Sequence, residues 1–196
     1  GGGGVDAGAL TVVAAHEITH RLQDLAPEEY RQYRDYAVGV KAAEEGGVEH
    51  LVAGTQRRYA DRQVNLTTEQ AMDEIAAEFT RDMLRDEKLF QNLAQTDRSL
   101  ARRVLDALRD FIRRVKAAFT SRTARDRAAE TEYGVSMAEL EEAARLWQSA
   151  YDAAGREVRR RTGQTQAGSS TRTGTRNGRT VEVREDGAEG RPLRRS

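Results

Sequence analysis

Apolar positions along this chain recur every three to four residues, which is the spacing of helices that bury one face. The pattern predicts a first helix over about 9–24 and a second that begins at Pro27, because proline is well placed in the first turn of a helix. Two later apolar stripes predict helices over about 98–120 and about 136–158. The sequence therefore predicts an all-α fold, built as a compact helical bundle.

Between these helices, the stretch EEGGVEH marks a break, and a weaker helical segment, HLVAGTQRRYADRQ, follows it. A stronger signal comes next, in TTEQAMDEIAAEFTRDM, where Thr67 and Gln70 have the spacing of a capping box. The apolar residues of this stretch lie at helical spacing, and they are Met72, Ile75, Ala76, Phe79 and Met83.

Composition divides the chain into three parts. Residues 1–8 are a glycine-rich lead that is flexible by composition. Residues 9–158 form the helical domain, of which about 98–158 is a C-terminal helical extension. From residue 160 to 196 the chain is rich in Arg, Gly, Ser and Thr without an apolar period, which predicts a disordered tail.

The charge and the cysteine content limit the classes of partner and of chemistry that the sequence allows. The 32 basic and 32 acidic residues cancel, so the global charge favours neither nucleic acid nor a membrane surface. The arginine-rich tail lacks the interleaved aromatic residues of a stacking platform, so nucleic-acid binding is not expected. No apolar run approaches the ~20 residues that span a bilayer. The chain has no cysteine, which excludes disulfides and thiolate chemistry and is compatible with the cytoplasm.

Two of the three histidines, His16 and His20, stand four positions apart on the first predicted helix, with Glu17 directly after the first. Positions four apart lie one turn above each other on the same face, so both imidazoles can bind one ion. Glu17 lies beside that face without being a ligand, where a carboxylate can take a proton from a metal-bound water. The motif therefore predicts Zn²⁺ on His16 and His20, with Glu17 as the catalytic base.

A catalytic zinc ion usually has a third protein ligand, and the acid-rich helix offers two pairs of candidates. Glu74 has Glu78 one turn later, and Glu69 has Asp73 one turn later. In each pair the second acid can accept the free ring N–H of a ligand histidine and so fix its orientation. Glu69 falls in the first turn, where the helix dipole alone explains an acid. Glu74 is favoured because small alanines follow it and permit close helix packing.

Two other residue types have less specific signals. His50 follows the glycine break and is a candidate either for the third zinc ligand or for a donor to the oxyanion of the reaction. Four tyrosines could supply a phenol to the transition state, although such a stripe is more often a packing face with solvated hydroxyls. They are Tyr30, Tyr33, Tyr36 and Tyr59.

The motif HEITH at 16–20 and the motif DEIAAEF at 73–79 together resemble the gluzincin class of zinc metallopeptidases. More narrowly, they resemble the metallopeptidase-like domains embedded in large multidomain phage and mobile-element proteins. There the second motif is followed by a helix similar to LARRVLDALRDFIRRVKAAF. The resemblance covers about residues 10–120.

The resemblance implies a site as well as a fold. It implies that His16, His20 and Glu74 bind zinc and that Glu17 is the base. Glu78 stands where that group usually has an aspartate, the acid implied to hold a ligand histidine in place. The HExxH helix is then expected to pack against the helix that carries Glu74.

We therefore expect a zinc-dependent endopeptidase domain that hydrolyses a protein or peptide substrate with a zinc-bound water activated by Glu17. The alternative is a catalytically inactive helical module that serves a larger phage or mobile-element protein as an interaction scaffold. The chain opens on GGGG without a methionine, which we interpret as a fragment of a larger polypeptide.

Overall fold

The structure, a computed structural model, describes residues 7–120, 127–173, 175–176 and 179–180, with side chains described over 10–118 and 137–163. The chain divides after Asp152 into two compact units. Residues 1–6 of the predicted lead and 181–196 of the predicted tail lie outside the described residues.

The described residues form seven α-helices and one pair of very short strands. The helices are α1 Ala7–Leu25, α2 Pro27–Glu45, α3 Val48–Ala60, α4 Thr68–Arg85, α5 Glu87–Thr96, α6 Arg98–Thr120 and α7 Arg127–Thr173. The strands, β1 Thr175–Arg176 and β2 Arg179–Thr180, pair antiparallel with Thr175 opposite Thr180. The predicted all-α fold class is confirmed. None of the described helices has the combination of length and apolar character that crossing a bilayer requires.

Several helix ends follow from local chemistry that the sequence displays. At α4 the hydroxyl of Thr67 accepts a hydrogen bond from the backbone N–H of Gln70, while the Gln70 side chain accepts one from the N–H of Thr67. The predicted capping box is therefore confirmed. Helix α2 ends at Gly46, whose φ of 88° is left-handed and suits glycine because it has no Cβ.

Helix α5 was absent from the sequence-based prediction. Asp86 caps it by accepting a hydrogen bond at 3.0 Å from the backbone N–H of Lys88, and extended backbone at Asp86 separates α5 from α4. Its buried face consists of Phe90, Leu93 and Ala94. Ten residues contain fewer than three turns, so the apolar period is too short to stand out beside its longer neighbours.

Helix α4 is the central element of the first unit, because it packs against α1, α2, α3 and α5. Helices α1 and α4 pack against each other, and both bury small residues, Ala14 and Ala15 on α1 and Ala76 and Ala77 on α4. Side chains this small allow two helix axes to approach closely. The expected packing of the HExxH helix against the helix that carries Glu74 is therefore present.

The tyrosines of α2 form a packing face against α4, as predicted, but the hydroxyls of Tyr30 and Tyr33 are hydrogen-bonded to α4 and not solvated. The Tyr30 hydroxyl donates to Asp73 Oδ1 at 2.6 Å, and the hydroxyls of Tyr33 and Thr80 lie 2.6 Å apart. Both tyrosines are buried. Burial raises the pKa of each phenol, and at Tyr30 the hydrogen bond to Asp73 raises it further. These phenols are therefore neutral partners that fix α2 against α4.

Helix α7 contributes the largest fully buried side chain of the first unit. Trp147 is 0% exposed, its ring stacks on Phe90 with centroids 4.5 Å apart, and its indole N–H donates to the backbone oxygen of Met83 at 2.9 Å. Arg109 of α6 donates to Gln148 of α7 at 2.6 Å. These contacts hold the part of α7 before residue 153 on the α4–α6 end of the bundle.

Regular structure extends past the boundary predicted near residue 160. Helix α7 begins at Arg127 and continues to Thr173, beyond both predicted ends. In the second unit Glu157 pairs with Arg160 and, at 3.2 Å, with Arg161, which is the helical spacing that supports an exposed helix. The disordered tail is predicted from residue 160, and its residues 174, 177, 178 and 181–196 lie outside the described part of the chain.

Candidate active site

Helix α1 presents the HEITH motif next to the α1–α4 contact. Ile18 and Thr19 face inward and are buried, while His16 is half-buried and His20 is exposed. The two imidazole centroids lie 6.4 Å apart with planes tilted by 51°. The motif thus has its apolar side in the core and its ionisable side toward solvent, as one turn of an amphipathic helix requires.

His16 opens onto a cleft that Glu74 and Glu78 also line. The cleft has a volume of about 300 Å³ and lies among α1, α4 and the end of α3. Its apolar floor is Val12, Ala15 and Ala77, and its remaining polar lining is Arg58, Tyr59, Arg62 and Arg81. One histidine of the first motif and both acids of the second therefore share one cleft.

Each acid of the cleft has one defined partner on α3. The Tyr59 hydroxyl donates to Glu74 Oε1 at 2.6 Å, and Arg58 donates to Glu78 Oε2 at 2.8 Å. Burial, followed by the hydrogen bond and the charge of Glu74, raises the pKa of Tyr59 to about 12. The phenol therefore stays protonated at neutral pH and remains a donor. This bond fixes one carboxylate oxygen of Glu74 and leaves the other available.

Glu17 lies on the neighbouring face of α1 with its side chain 41% exposed, outside the lining of the cleft. Its Oε1 lies 3.8 Å from Arg114 Nη2 on α6, and Arg114 Nε donates to Asp110 at 3.0 Å. Arg21 of α1 donates to the same aspartate at 2.9 Å. This network connects Glu17 with α6 and leaves the carboxylate accessible to water.

The alternative acids point elsewhere. Asp73 accepts hydrogen bonds from Tyr30 and, at 3.0 Å, from Arg34, and Glu69 pairs with the same guanidinium at 2.8 Å. Both acids are therefore engaged with α2. His50 is exposed and borders a separate hollow beside Lys41, with Glu78 on the boundary between that hollow and the cleft.

The donor set suits zinc, although its members do not converge on one point. Among the described residues, no three His, Cys, Asp or Glu side chains already form a metal-binding group. Two imidazoles bound tetrahedrally at ~2.0–2.1 Å have centroids roughly 5 Å apart, which is closer than the 6.4 Å between His16 and His20. Because His20 is exposed, its ring is free to turn toward His16. Two imidazoles and one carboxylate are the ligand types of a catalytic zinc site.

Four residues around the motif were not singled out from the sequence. Arg58, Arg62 and Arg81 line the cleft, and Arg114 approaches Glu17. The sequence indicates them only indirectly. Glu74 and Glu78 are half-buried acids one turn apart, and such acids need hydrogen-bond donors from another helix. Which helix supplies those donors depends on tertiary packing.

Comparisons of the chain with protein-family models, with curated proteins and with solved structures gave no match.

Proposed function

We propose that this chain is a zinc-dependent metallopeptidase domain of the gluzincin type, in which His16, His20 and Glu74 bind the metal. The observation that carries the proposal is the shared cleft, since two motifs more than fifty positions apart in the sequence supply His16 and Glu74 to its lining. The hydrogen bond from Tyr59 holds Glu74 in a fixed orientation. A side chain that binds a metal typically has such a hydrogen-bonding partner in addition to the metal.

His16, His20 and Glu74 would hold the zinc, which would supply Lewis acidity for a peptide carbonyl and for a water that loses a proton near neutral pH. In this proposal Glu17 would accept that proton on its carboxylate and return it to the leaving amine nitrogen. The proposal is supported by the 41% exposed side chain of Glu17 and by its place directly after His16 in the sequence. Arg114 and Asp110 restrict where the Glu17 side chain can turn. The expected substrate is a protein or peptide.

Zinc titration of matched variants tests the ligand assignment. Glu74→Gln removes the proposed ligand charge, and Glu69→Gln makes the same change on the same helix in a residue that pairs with Arg34. We expect Glu74→Gln, and likewise His16→Ala and His20→Ala, to weaken zinc binding by more than the ~100-fold that loss of an outer hydrogen-bonding partner costs. Glu69→Gln should bind zinc as the unaltered chain does.

Competition with a chromophoric chelator provides the zinc affinity, and far-UV circular dichroism of each variant checks that it is folded. Equal losses in Glu74→Gln and Glu69→Gln would contradict the assignment of Glu74. Failure of the unaltered chain to bind zinc would support the alternative, a helical scaffold module without catalytic metal.

A further inference from the structure

The cleft contains more positive than negative charge. Three guanidinium groups, Arg58, Arg62 and Arg81, line it together with two carboxylates, Glu74 and Glu78. Arg58 is paired with Glu78 at 2.8 Å, and Glu74 accepts from Tyr59. Among the described side chains, neither Arg62 nor Arg81 lies within ion-pair distance of a carboxylate. Two arginines therefore face the cleft without an anionic partner.

Arg81 is the less solvated of these two. Its Nε is buried, and no hydrogen-bond partner for it exists among the described residues. A buried N–H without a partner is costly, and buried donors in folded proteins nearly always have one. Arg62 lies on the turn after α3, with its guanidinium 5.2 Å from the centroid of the Tyr59 ring. Both arginines line the cleft, and no carboxylate among the described residues pairs with either guanidinium group.

We propose that Arg81, assisted by Arg62, binds a carboxylate of the substrate, so that the peptidase prefers peptides with an acidic group beside the bond that is cut. The reaction in this inference rests on the proposed function, whereas the specificity rests on the charges of the cleft. The planar guanidinium matches a carboxylate through two parallel hydrogen bonds. A cleft of about 300 Å³ lies at the lower end of the range for ligand pockets, which suits one side chain or one chain terminus.

A carboxylate in a peptide has two sources, an acidic side chain and the C-terminus, and the probes separate them. The first set is alanine-based hexapeptides blocked at both ends, with one glutamate moved through every position, each matched by a glutamine peptide. The second set is the unsubstituted alanine hexapeptide with a free C-terminal carboxylate, matched by its amide. Cleavage of each peptide by the zinc-loaded chain is measured as kcat/KM. Binding to the zinc-loaded Glu17→Gln variant is measured by calorimetry.

Arg81→Gln is compared with Arg85→Gln, which removes the same charge from the same helix one turn later, at an exposed residue outside the cleft. We expect Arg81→Gln to lose roughly 10- to 100-fold in the preference for the carboxylate peptide, the effect of one hydrogen bond between charged groups. Cleavage of the neutral peptides should change little. Arg81→Lys should recover part of the preference, because it keeps the charge and loses the paired geometry.

Two results would overturn the carboxylate site. One is equal binding and cleavage of acidic and neutral peptides by the unaltered chain, which would leave the proposed hydrolysis standing. The other is an equal loss in Arg81→Gln and Arg85→Gln, which would indicate an effect of net charge alone. Conversely, Arg81-dependent binding of the carboxylate peptides without any cleavage would support the site and contradict the hydrolysis. Absence of both binding and cleavage would contradict both.

Discussion

Replacing Glu17 with glutamine is expected to abolish most peptide hydrolysis while leaving zinc binding nearly unchanged. The substitution preserves the size of the side chain and removes the carboxylate that accepts the proton. A general base contributes ~10²–10⁴-fold to the rate, so kcat should fall by that factor. Glu17 also lies 3.8 Å from Arg114, and an amide in this place keeps most of the local packing.

The measurement combines peptide hydrolysis under saturating zinc with zinc affinity on the same preparation. Glu29→Gln is the matched control, because Glu29 is a partly exposed acid that lies 3.7 Å from an arginine of α6, Arg103, away from the cleft. Its hydrolysis should equal that of the unaltered chain. The role of Glu17 would be wrong if Glu17→Gln retained full activity, or if it lost zinc as completely as His20→Ala.

Replacing Trp147 with alanine is expected to destabilise the first unit by about 3–5 kcal/mol, the range for deleting a large aromatic side chain from a core. The ring is 0% exposed, stacks on Phe90 at 4.5 Å and donates to the Met83 carbonyl, so its removal leaves both a cavity and an unused acceptor. Because a domain is stable by only ~5–15 kcal/mol, this loss is a large part of the total.

Urea unfolding followed by far-UV circular dichroism provides the free energy of unfolding. Tryptophan fluorescence cannot follow the variant, because Trp147 is the single tryptophan of the chain. Trp147→Phe is the control, since it keeps an aromatic ring against Phe90 and removes the indole N–H. The free energy of unfolding should fall much less in Trp147→Phe than in Trp147→Ala. A loss of less than ~1 kcal/mol in Trp147→Ala would contradict the role assigned to this contact between α5 and α7.

The elements that could be predicted are those whose signals are local. Helix α6 begins and ends where its apolar period begins and ends, and the start of α4 follows from Thr67 and Gln70, three positions apart. Helix α5 was missed because only Asp86 separates it from α4, and a single extended residue leaves little trace in a periodic pattern. Helix α7 extends beyond both predicted ends, because an apolar period marks only the part of a helix that packs.

The residues of the candidate site also differ in how far the sequence could predict them. His16, Glu17 and His20 could be proposed from five consecutive residues, because one turn of helix fixes their mutual positions. Glu74 could be favoured over Glu69 because small residues follow it and because Glu69 falls in the first turn of the helix. In the structure Glu74 lines the cleft of His16, and Glu69 pairs with Arg34. The partner of Glu74 depends on where α3 crosses α4. No local pattern encodes that crossing, so Tyr59 was interpreted from the sequence as a packing residue.

The most direct test of the zinc site is a crystal structure of the zinc-loaded chain with anomalous diffraction data collected on both sides of the zinc absorption edge. We expect one anomalous peak at the α1–α4 cleft, ~2.0–2.1 Å from an imidazole nitrogen of His16 and of His20 and ~2.0–2.2 Å from a carboxylate oxygen of Glu74. Tyr59 should still donate to the other oxygen of Glu74. A peak ligated by Glu69 or His50, or no peak within reach of His16, would contradict the proposed zinc site.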